Sequence, residues 1–237
     1  FDYPHLVDPE LFDKYVQGYR DADVLICPSE LAASVCRKYG CKQRIEVIPH
    51  GCNLPAEESI KPLPKMFTVG YLGAIGPDKG LRVLLEAWKR LNWRDAVLLM
   101  GGRDTAGHGF MQTLLERHGG GNIQLLGWIP NVTDFYNRLT VYVQPSMTEG
   151  FGIEVLEALA HKRISLISNG CGAVELVPWG FRFGIGKVDE LMNLLTFARD
   201  GFSEANGLDG EKARKKAEEH SWANIRQKYV QLWRSLL

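Results

Sequence analysis

Short runs of apolar, often β-branched residues alternate with longer segments of helical period, and this alternation limits the folds open to the chain. The short runs predict strands at 24–27, 45–48, 67–72, 97–100, 123–126, 141–143 and 164–167. The longer segments predict helices at 9–20, 30–39, 80–91, 109–118, 132–138, 152–161, 188–199, 209–219 and 222–236. Because most of the runs are apolar throughout, we expect an α/β fold with a mainly parallel sheet and helices on both faces.

The charge balance and the apolar content exclude several classes of protein. The 28 Lys and Arg residues balance 28 Asp and Glu residues, so the chain lacks the broad positive charge that nucleic-acid binding usually needs. No apolar run approaches the ~20 residues that span a bilayer, and no signal-peptide pattern opens the sequence. We expect no nucleic-acid partner and no transmembrane segment. The expected location is the cytoplasm, either free in solution or at the periphery of a membrane.

Cysteine usage also bears on the cellular setting. The five cysteines are odd in number, form no C-x-x-C pair, and lie in a chain too long to need disulfide bonds for its stability. The sequence therefore predicts a reduced, intracellular protein, with thiols at Cys27, Cys36, Cys41, Cys52 and Cys171.

A stretch rich in proline and charge, 55–65, separates two predicted strands and has no apolar period of its own, so it is interpreted as a linker. The expected organisation is the end of an N-terminal α/β domain plus linker at 1–60, a ligand-binding domain at 61–220 and a final helix at 221–237. That helix carries an apolar stripe beginning at Trp222, and packing on the domain's own core is favoured over an interdomain contact.

The stretch after the predicted strand at 141–143 carries most of the candidate chemistry. The turn holds Glu149, Gly150 and Gly152, and Glu157 follows about two turns into the helix. Ligands of open α/β sheets bind outside the carboxyl ends of the strands, where a helix start offers free backbone amides and positive dipole character. This turn therefore predicts a site for an anionic or polyhydroxylated ligand, with the carboxylates accepting hydrogen bonds from hydroxyl groups.

Three further loops follow predicted strands at the same edge of the sheet. The loop 73–80 is rich in glycine and places Lys79 at the mouth of a helix, which suits phosphate oxygens. The loop 101–104 carries Arg103, which could reach a pyrophosphate. The loop 170–175 brings small residues into another short helix.

Each of these features also has a purely structural interpretation. Lys79 and Arg103 could be ordinary solvated side chains, since surface cations are common. Glu154, Glu157 and His161 stand at i, i+3 and i+7 and could form a solvated helix face.

Taken in order, the loops resemble the motifs of retaining GT-B glycosyltransferases of the glycosyltransferase group 1 family. Glu149 and Glu157, with seven residues between them, resemble that family's E-x7-E motif. Further motifs in the family's order and approximate spacing occur at 22–29, 47–53, 70–80, 126–130 and 172–175. The resemblance implies the Rossmann-like C-terminal, donor-binding half of a GT-B enzyme, with a nucleotide-diphosphate sugar such as a UDP- or GDP-sugar as substrate and no cofactor. It also implies that the final helix, 221–237, packs toward the interdomain side.

The resemblance also implies roles for individual residues. Lys79 matches the lysine that contacts the donor's diphosphate, and its charge would stabilise the leaving nucleotide diphosphate. Glu149 matches the glutamate beside the donor sugar, and Glu157 the one that hydrogen-bonds the ribose hydroxyls. The catalytic pair would be Glu149 and Lys79. Other donor-binding positions are Gly73, Ala74, Arg103, Trp128, Ile129, Gly150, Phe151, Gly152 and Glu175.

The sequence departs from the family pattern around these acids. Ala74 stands where the family usually has an arginine that acts with Lys79 on the diphosphate, and Arg103 is the candidate to replace it in space. Lys162, Arg163 and Ile164 stand where the family has Gly-x-Pro, and Asn53 replaces its usual aspartate.

A metal-dependent alternative is not favoured. Asp21 and Asp23 spell the D-x-D that binds a divalent ion in the other major glycosyltransferase fold, but here the motif precedes a strand, so helix capping and solvation are favoured. We predict no metal ligand. The scattered histidines are interpreted as surface or hydrogen-bonded side chains rather than bases, at His50, His108, His118 and His161.

The expected function is therefore a retaining, metal-independent glycosyltransferase, present as its donor-binding half. The alternative is a non-catalytic nucleotide or nucleotide-sugar binding module that acts through a partner chain. Ala74 and the segment 162–164 favour this alternative. The acceptor, whether glycan, lipid or protein, is left open. Since the sequence starts at Phe1 and 237 residues hold one of two GT-B halves, we expect a missing N-terminal domain or partner chain.

Overall fold

The structure is a computed structural model that describes residues 17–107, 109–203 and 209–237. Most of the helix predicted at 9–20 lies outside these ranges, and its described part, 17–20, is helical. His108 also lies outside them.

The described ranges contain eight strands and eight α-helices, in alternation over most of the chain. The strands are β1 (Val24–Cys27), β2 (Arg44–Val47), β3 (Phe67–Leu72), β4 (Ala96–Gly101), β5 (Ile123–Gly127), β6 (Val141–Gln144), β7 (Ile164–Ser168) and β8 (Arg182–Phe183). The helices are α1 (Glu30–Lys38), α2 (Leu81–Leu91), α3 (Phe110–His118), α4 (Val132–Asn137), α5 (Ile153–Ala160), α6 (Val188–Ser203), α7 (Gly210–Glu219) and α8 (Trp222–Leu236).

The strands form two parallel sheets. The larger sheet has six strands in the order β5-β4-β3-β6-β7-β8, and β1 pairs with β2 in the smaller one. Every pairing within both sheets is parallel, so the predicted parallel α/β architecture is confirmed. The sequence analysis missed β8, because two residues are too short to show a period.

Each face of the large sheet is covered by helices. Along β4, Leu98 and Met100 belong to one apolar cluster, whereas Val97 and Leu99 belong to another, as the period of two in a strand requires. The first cluster includes α2 and α6, and the second includes α5 and α7. Helix α2 contributes Leu81, Leu84, Leu85 and Trp88, all fully buried, and each such leucine contributes roughly 1.5–3 kcal/mol.

The predicted linker is held against the large-sheet domain. The backbone N–H of Lys61 donates to the side-chain carbonyl of Asn137 (2.9 Å), and the Asn137 amide donates to the carbonyl of Ser59 (2.8 Å). Arg163, only 2% exposed, donates to the carbonyls of Tyr136 (2.9 Å) and Lys61 (2.6 Å). The segment that departs from the family's Gly-x-Pro therefore binds the linker.

Lys162 adopts φ +60°, the left-handed conformation that glycine favours, so the glycine usual at this position in the family would suit the backbone better. The Lys162 ammonium instead pairs with the carboxylates of Glu57 and Glu211. These contacts join the linker, the end of α5 and α7.

The final helix packs on the first segment of the chain. Ile225 and Leu232 of α8 form a cluster with Ile48, which follows β2 directly. Trp222 and Trp233 remain exposed on the same helix. The apolar cluster of this helix is thus formed with the N-terminal segment, on the side expected from the family resemblance, rather than with the large-sheet core that the stripe alone favoured.

Candidate active site

The loops at the carboxyl ends of the strands are joined into one surface. Four backbone hydrogen bonds of 2.7–2.8 Å connect them. In each, the N–H of the first residue donates to the carbonyl of the second: Ile75 to Arg103, Gly102 to Gly127, Met147 to Asp78, and Glu149 to Gly170. All the loops that the sequence analysis selected therefore meet at one edge of the large sheet, as parallel strands require.

Lys79 and Glu149 form the central ion pair of this edge. The Lys79 ammonium lies 2.6 Å from a carboxylate oxygen of Glu149 and 3.3 Å from one of Asp78. Burial is the largest single influence and disfavours the ammonium charge, but the hydrogen bonds and negative charges of Glu149 and Asp78 together outweigh it and raise the pKa of Lys79 above its ordinary value. The two residues predicted to be catalytic are thus in direct contact.

Gly80 allows this placement of Lys79. It has φ +65°, and a Cβ on it would overlap the carbonyl oxygen of Pro145 at the end of the neighbouring strand. Only glycine lets the loop after β3 approach the loop after β6 so closely. The close approach brings the Lys79 side chain to Glu149.

A cleft of about 340 Å³ opens beside the ion pair. Its walls include the backbone of Gly73, the side chain of Ala74 and the turn 149–152. Gly152, at φ +95°, begins α5, so the free amides of the helix start lie in the cleft wall. Phe151 is buried and packs edge-on against His50, with 5.3 Å between the ring centres.

Glu154 and Glu157 do not form the solvated helix face that the sequence allowed. Glu154 lines the cleft, and burial raises the pKa of both carboxyl groups. His161 is buried and hydrogen-bonded to the carbonyl of Glu157 (2.7 Å) and the hydroxyl of Thr133 (3.2 Å). The solvated-face interpretation was wrong, because this helix packs both faces on the domain.

Glu157 is held by a buried tyrosine. The hydroxyl of Tyr136 lies 2.9 Å from a carboxylate oxygen of Glu157 and 3.1 Å from the carbonyl of Glu154. Tyr136 also stacks on His161, with 5.0 Å between ring centres. The carboxyl group of Glu157 is therefore fixed in orientation.

Arg103 and Trp128 contact each other on the next two loops. The Arg103 guanidinium lies 4.3 Å from the centre of the Trp128 ring, and Trp128 is 63% exposed. Ile129 is half-buried and lies against Gly101. None of these three residues lines the cleft itself, and Arg103 already has an aromatic partner.

Glu175 lies apart from the cleft walls. Its carboxylate accepts a hydrogen bond from the backbone N–H of Glu30 (3.2 Å), at the start of α1. Gly172, in the same turn, packs on the side chain of Ser29. In this structure the acid joins the turn to the first segment of the chain.

Sequence reasoning missed six residues that line the cleft, namely Pro28, His50, Tyr71, Gln144, Ile153 and Glu154. The Tyr71 hydroxyl donates to the carbonyl of Ala74 (2.5 Å) and so shapes the loop where the family has an arginine. The signal for Glu154 was its position one turn into the helix that begins at the cleft.

Within the described ranges, no three His, Cys, Asp or Glu side chains are grouped so that they could hold a metal ion. Nor does any helix there combine the length and apolar character needed to cross a bilayer.

Comparison with protein families identifies the class. The family model described as "Glycosyl transferases group 1" matches residues 66–195, more than half of the chain. The chain belongs to this family of glycosyltransferases, and the resemblance seen in the sequence is confirmed at that level.

Two curated relatives illustrate the range of the family. The lipopolysaccharide core biosynthesis mannosyltransferase LpcC of Rhizobium leguminosarum bv. viciae is 31% identical over 150 residues, 56% of this chain. The capsular polysaccharide biosynthesis glycosyltransferase CapM of Staphylococcus aureus is 27% identical over 169 residues, 66% of this chain. The matched part spans 43% of the length of each relative.

Solved structures support the fold. Anabaena Alr3699/HepE in complex with UDP-glucose superposes with a TM-score of 0.84 at 18% identity, over 98% of this chain and 69% of that one. Sucrose-phosphate synthase of Thermosynechococcus elongatus superposes with a TM-score of 0.83 at 22% identity, over 99% of this chain and 63% of that one. The GT-B type of fold that the resemblance implied is confirmed.

Proposed function

We propose that this chain is the donor-binding half of a retaining, metal-independent glycosyltransferase that uses a nucleotide-diphosphate sugar. The observation that carries the proposal is the contact between Lys79 and Glu149 in the wall of the cleft. A cation, an acid and the free amides of a helix start meet there, at the carboxyl ends of the strands.

Lys79 assists departure of the diphosphate. Its ammonium pairs with Glu149 in the structure, and a bound diphosphate carries more charge and would draw the ammonium to its oxygens. As the glycosidic bond breaks, negative charge grows on the leaving oxygen, and Lys79 and the amides of 150–152 stabilise it. Losing one such donor costs roughly 100- to 1,000-fold in rate in enzymes that depend on it.

Glu149 lies beside the donor sugar once Lys79 has turned to the diphosphate. Glu157, oriented by Tyr136, accepts hydrogen bonds from the two ribose hydroxyls. Trp128 and Ile129 border the base, and Arg103, stacked on Trp128, offers its remaining donors to the diphosphate. Gly73 and Ala74 complete the cleft wall.

Glu175 supports the donor site from outside the cleft. Its bond to the backbone of Glu30 holds the turn 170–175 against the start of α1. That turn in turn supports the catalytic loop, because the Gly172 N–H donates to the carbonyl of Glu149 (3.0 Å).

The donor and acceptor classes follow from the relatives. The solved complex of HepE with UDP-glucose favours a UDP-sugar, and a GDP-sugar is the second donor class to test. The relatives' names favour a polysaccharide or lipopolysaccharide glycan as acceptor. We place the acceptor's binding groups in an N-terminal half of the enzyme, on the side of β1 and β2.

Calorimetric titration with UDP, GDP, UDP-glucose and GDP-mannose tests the proposal. We expect one nucleotide and its sugar to bind, and Lys79→Met to weaken that binding. Lys89→Met, which changes an exposed lysine on α2, serves as the matched control. Absence of binding to all four ligands would reject the donor-site proposal.

Ala74 favours a second candidate, a nucleotide-sugar binding module without catalysis that acts through a partner chain. Among the described residues lining the cleft, Lys79 is the only lysine or arginine. Donor binding without sugar transfer or donor hydrolysis, in a protein that also contains the N-terminal half, would support the module.

A further inference from the structure

Three of the five cysteines meet in the first βαβ unit, and none of them lines the cleft. Cys27 ends β1, Cys36 lies on α1, and Cys41 lies in the turn before β2. The sulfur atoms of Cys27 and Cys36 are 3.7 Å apart, and the Cys41 thiol also interacts with Cys36. All three are free thiols.

Access differs among the three thiols. Cys27 is 5% exposed and Cys41 is 7% exposed, whereas Cys36 is half-buried. Cys36 is therefore the thiol that a reagent in solution reaches first, and it lies in contact with a second, buried thiol that can complete an exchange reaction.

We propose that Cys27 and Cys36 form a reversible disulfide on exposure to a small-molecule disulfide, with Cys36 as the attacking thiol. The bond needs the sulfurs to approach from 3.7 Å to about 2.0 Å, a change that side-chain rotation can supply. Cys41 stays reduced, because the sulfur of its neighbour Cys36 is already bonded to Cys27.

Oxidised glutathione can serve as the oxidant in two steps of thiol–disulfide exchange. The Cys36 thiolate attacks one sulfur of the glutathione disulfide, forming a mixed disulfide and releasing a glutathione thiolate. Cys27 then attacks the Cys36 sulfur, the second glutathione leaves, and the Cys27 proton passes to it. Two protein thiols are oxidised and one glutathione disulfide is reduced to two thiols. Burial raises the pKa of Cys27 to about 12, so Cys27 is disfavoured as the first attacking thiol, and the geometry alone makes it the second.

The disulfide would act on the cleft through Ser29, which lies between the two cysteines in the sequence. The Ser29 hydroxyl donates to the carbonyl of Gly150 (2.7 Å) and accepts from the N–H of Ala32, the start of α1. A covalent bond from Cys27 to Cys36 closes this segment into a ring and restricts its motion. The turn 149–152 then loses part of its freedom.

Mass spectrometry after trypsin digestion tests the disulfide, because the digestion places Cys41 in a different peptide from Cys27 and Cys36. Cleavage after Arg20 and Arg37 places Cys27 and Cys36 in one peptide, 21–37, and Cys41 in another, 39–42. After oxidised glutathione and alkylation of the remaining thiols, we expect peptide 21–37 unalkylated and lighter by two hydrogens. Peptide 39–42 should be alkylated. A fully alkylated 21–37, a lasting glutathione adduct, or a link between the two peptides would overturn the proposal.

Two serine variants sharpen the test. Cys27→Ser should form no disulfide within peptide 21–37, whereas Cys41→Ser, the matched control, should form the same disulfide as the parent chain. Amide hydrogen exchange across 146–153 should slow by at least about twofold on oxidation of the parent chain and stay unchanged in Cys36→Ser. Equal exchange in both would overturn the link to the cleft. No measurement here requires a nucleotide, so failure of the proposed function would be seen separately.

Discussion

Lys79 and Glu149 are 70 residues apart in the sequence, yet the ammonium nitrogen of one lies 2.6 Å from a carboxylate oxygen of the other. The contact depends on Gly80, which lets the loop after β3 touch the end of β6. Under the proposed function the contact also sets up a competition, because a diphosphate bound at this site would have to draw the ammonium of Lys79 away from the carboxylate of Glu149.

That competition predicts the effect of Glu149→Gln. The amide keeps the size of the side chain but removes the charge that holds Lys79. UDP should therefore bind about fivefold more tightly, which corresponds to ~1 kcal/mol of binding free energy. Sugar transfer should fall, since the carboxylate beside the sugar is lost. Titration with UDP and an assay of transfer measure the two effects. Weaker UDP binding in the variant would contradict the competition.

Gly80→Ala should destabilise the fold through backbone overlap. The new Cβ meets the Pro145 carbonyl at φ +65°, and we expect a loss of at least about 2 kcal/mol. Gly127→Ala is the matched control, because Gly127 also has φ +65° but open space around it, so only about 1 kcal/mol of conformational strain is expected. Thermal or urea unfolding of the two variants separates the cost of atomic overlap from the cost of backbone strain. Equal losses of unfolding free energy in the two variants would contradict the overlap at Gly80.

Arg163→Met should release the linker. The change removes the hydrogen bonds to the carbonyls of Tyr136 and Lys61; because the Tyr136 carbonyl still accepts from the N–H of Leu139 (3.1 Å), we expect a cost of about 1–3 kcal/mol. Amide exchange should rise across 55–65, while Arg82→Met, at an exposed ion pair on α2, should change stability by no more than about 0.5 kcal/mol. Unchanged exchange in the linker would show that Arg163 does not hold it.

Glu157 should give the unfolding free energy a dependence on pH. Burial raises its pKa above the ordinary 4.5, so the folded protein keeps this proton to a higher pH than the unfolded chain does. The penalty for burying the charge is absent below pH 4.5, grows as the pH rises through the raised pKa, and is constant above it.

Glu157→Gln removes this penalty and keeps an acceptor for Tyr136. Relative to the parent chain, the variant should therefore gain stability as the pH rises across that window. Urea unfolding at several pH values checks this, with Glu116→Gln, at an exposed carboxyl on α3, as the control. A difference between variant and parent that does not change with pH would contradict the burial of an ionised Glu157.

The parallel sheet was predictable because its strands, such as β3 and β4, are buried on both faces and therefore apolar throughout. That local signal also placed the loops at one edge. It was silent on β8, whose two residues form a strand only because β7 lies beside them.

The site was predictable in its residues and not in its contacts. Resemblance selected Lys79 and Glu149, but no local pattern states that they touch. The roles of Arg163 and Glu175 in holding the linker and α1 depend on partners 102 and 145 residues away. Such pairings follow from the packing of the whole chain, which periodicity does not report.

The most direct test of the donor site compares UDP with uridine, in the parent chain and in Lys79→Met, by calorimetric titration. We predict that the parent chain binds UDP and that Lys79→Met weakens this binding by at least about tenfold, or ~1.4 kcal/mol. Uridine, which has no diphosphate, should bind both proteins equally. Equal UDP affinity in the two proteins would contradict the proposed role of Lys79. If neither UDP nor uridine binds, the same comparison with GDP and guanosine decides whether the role holds.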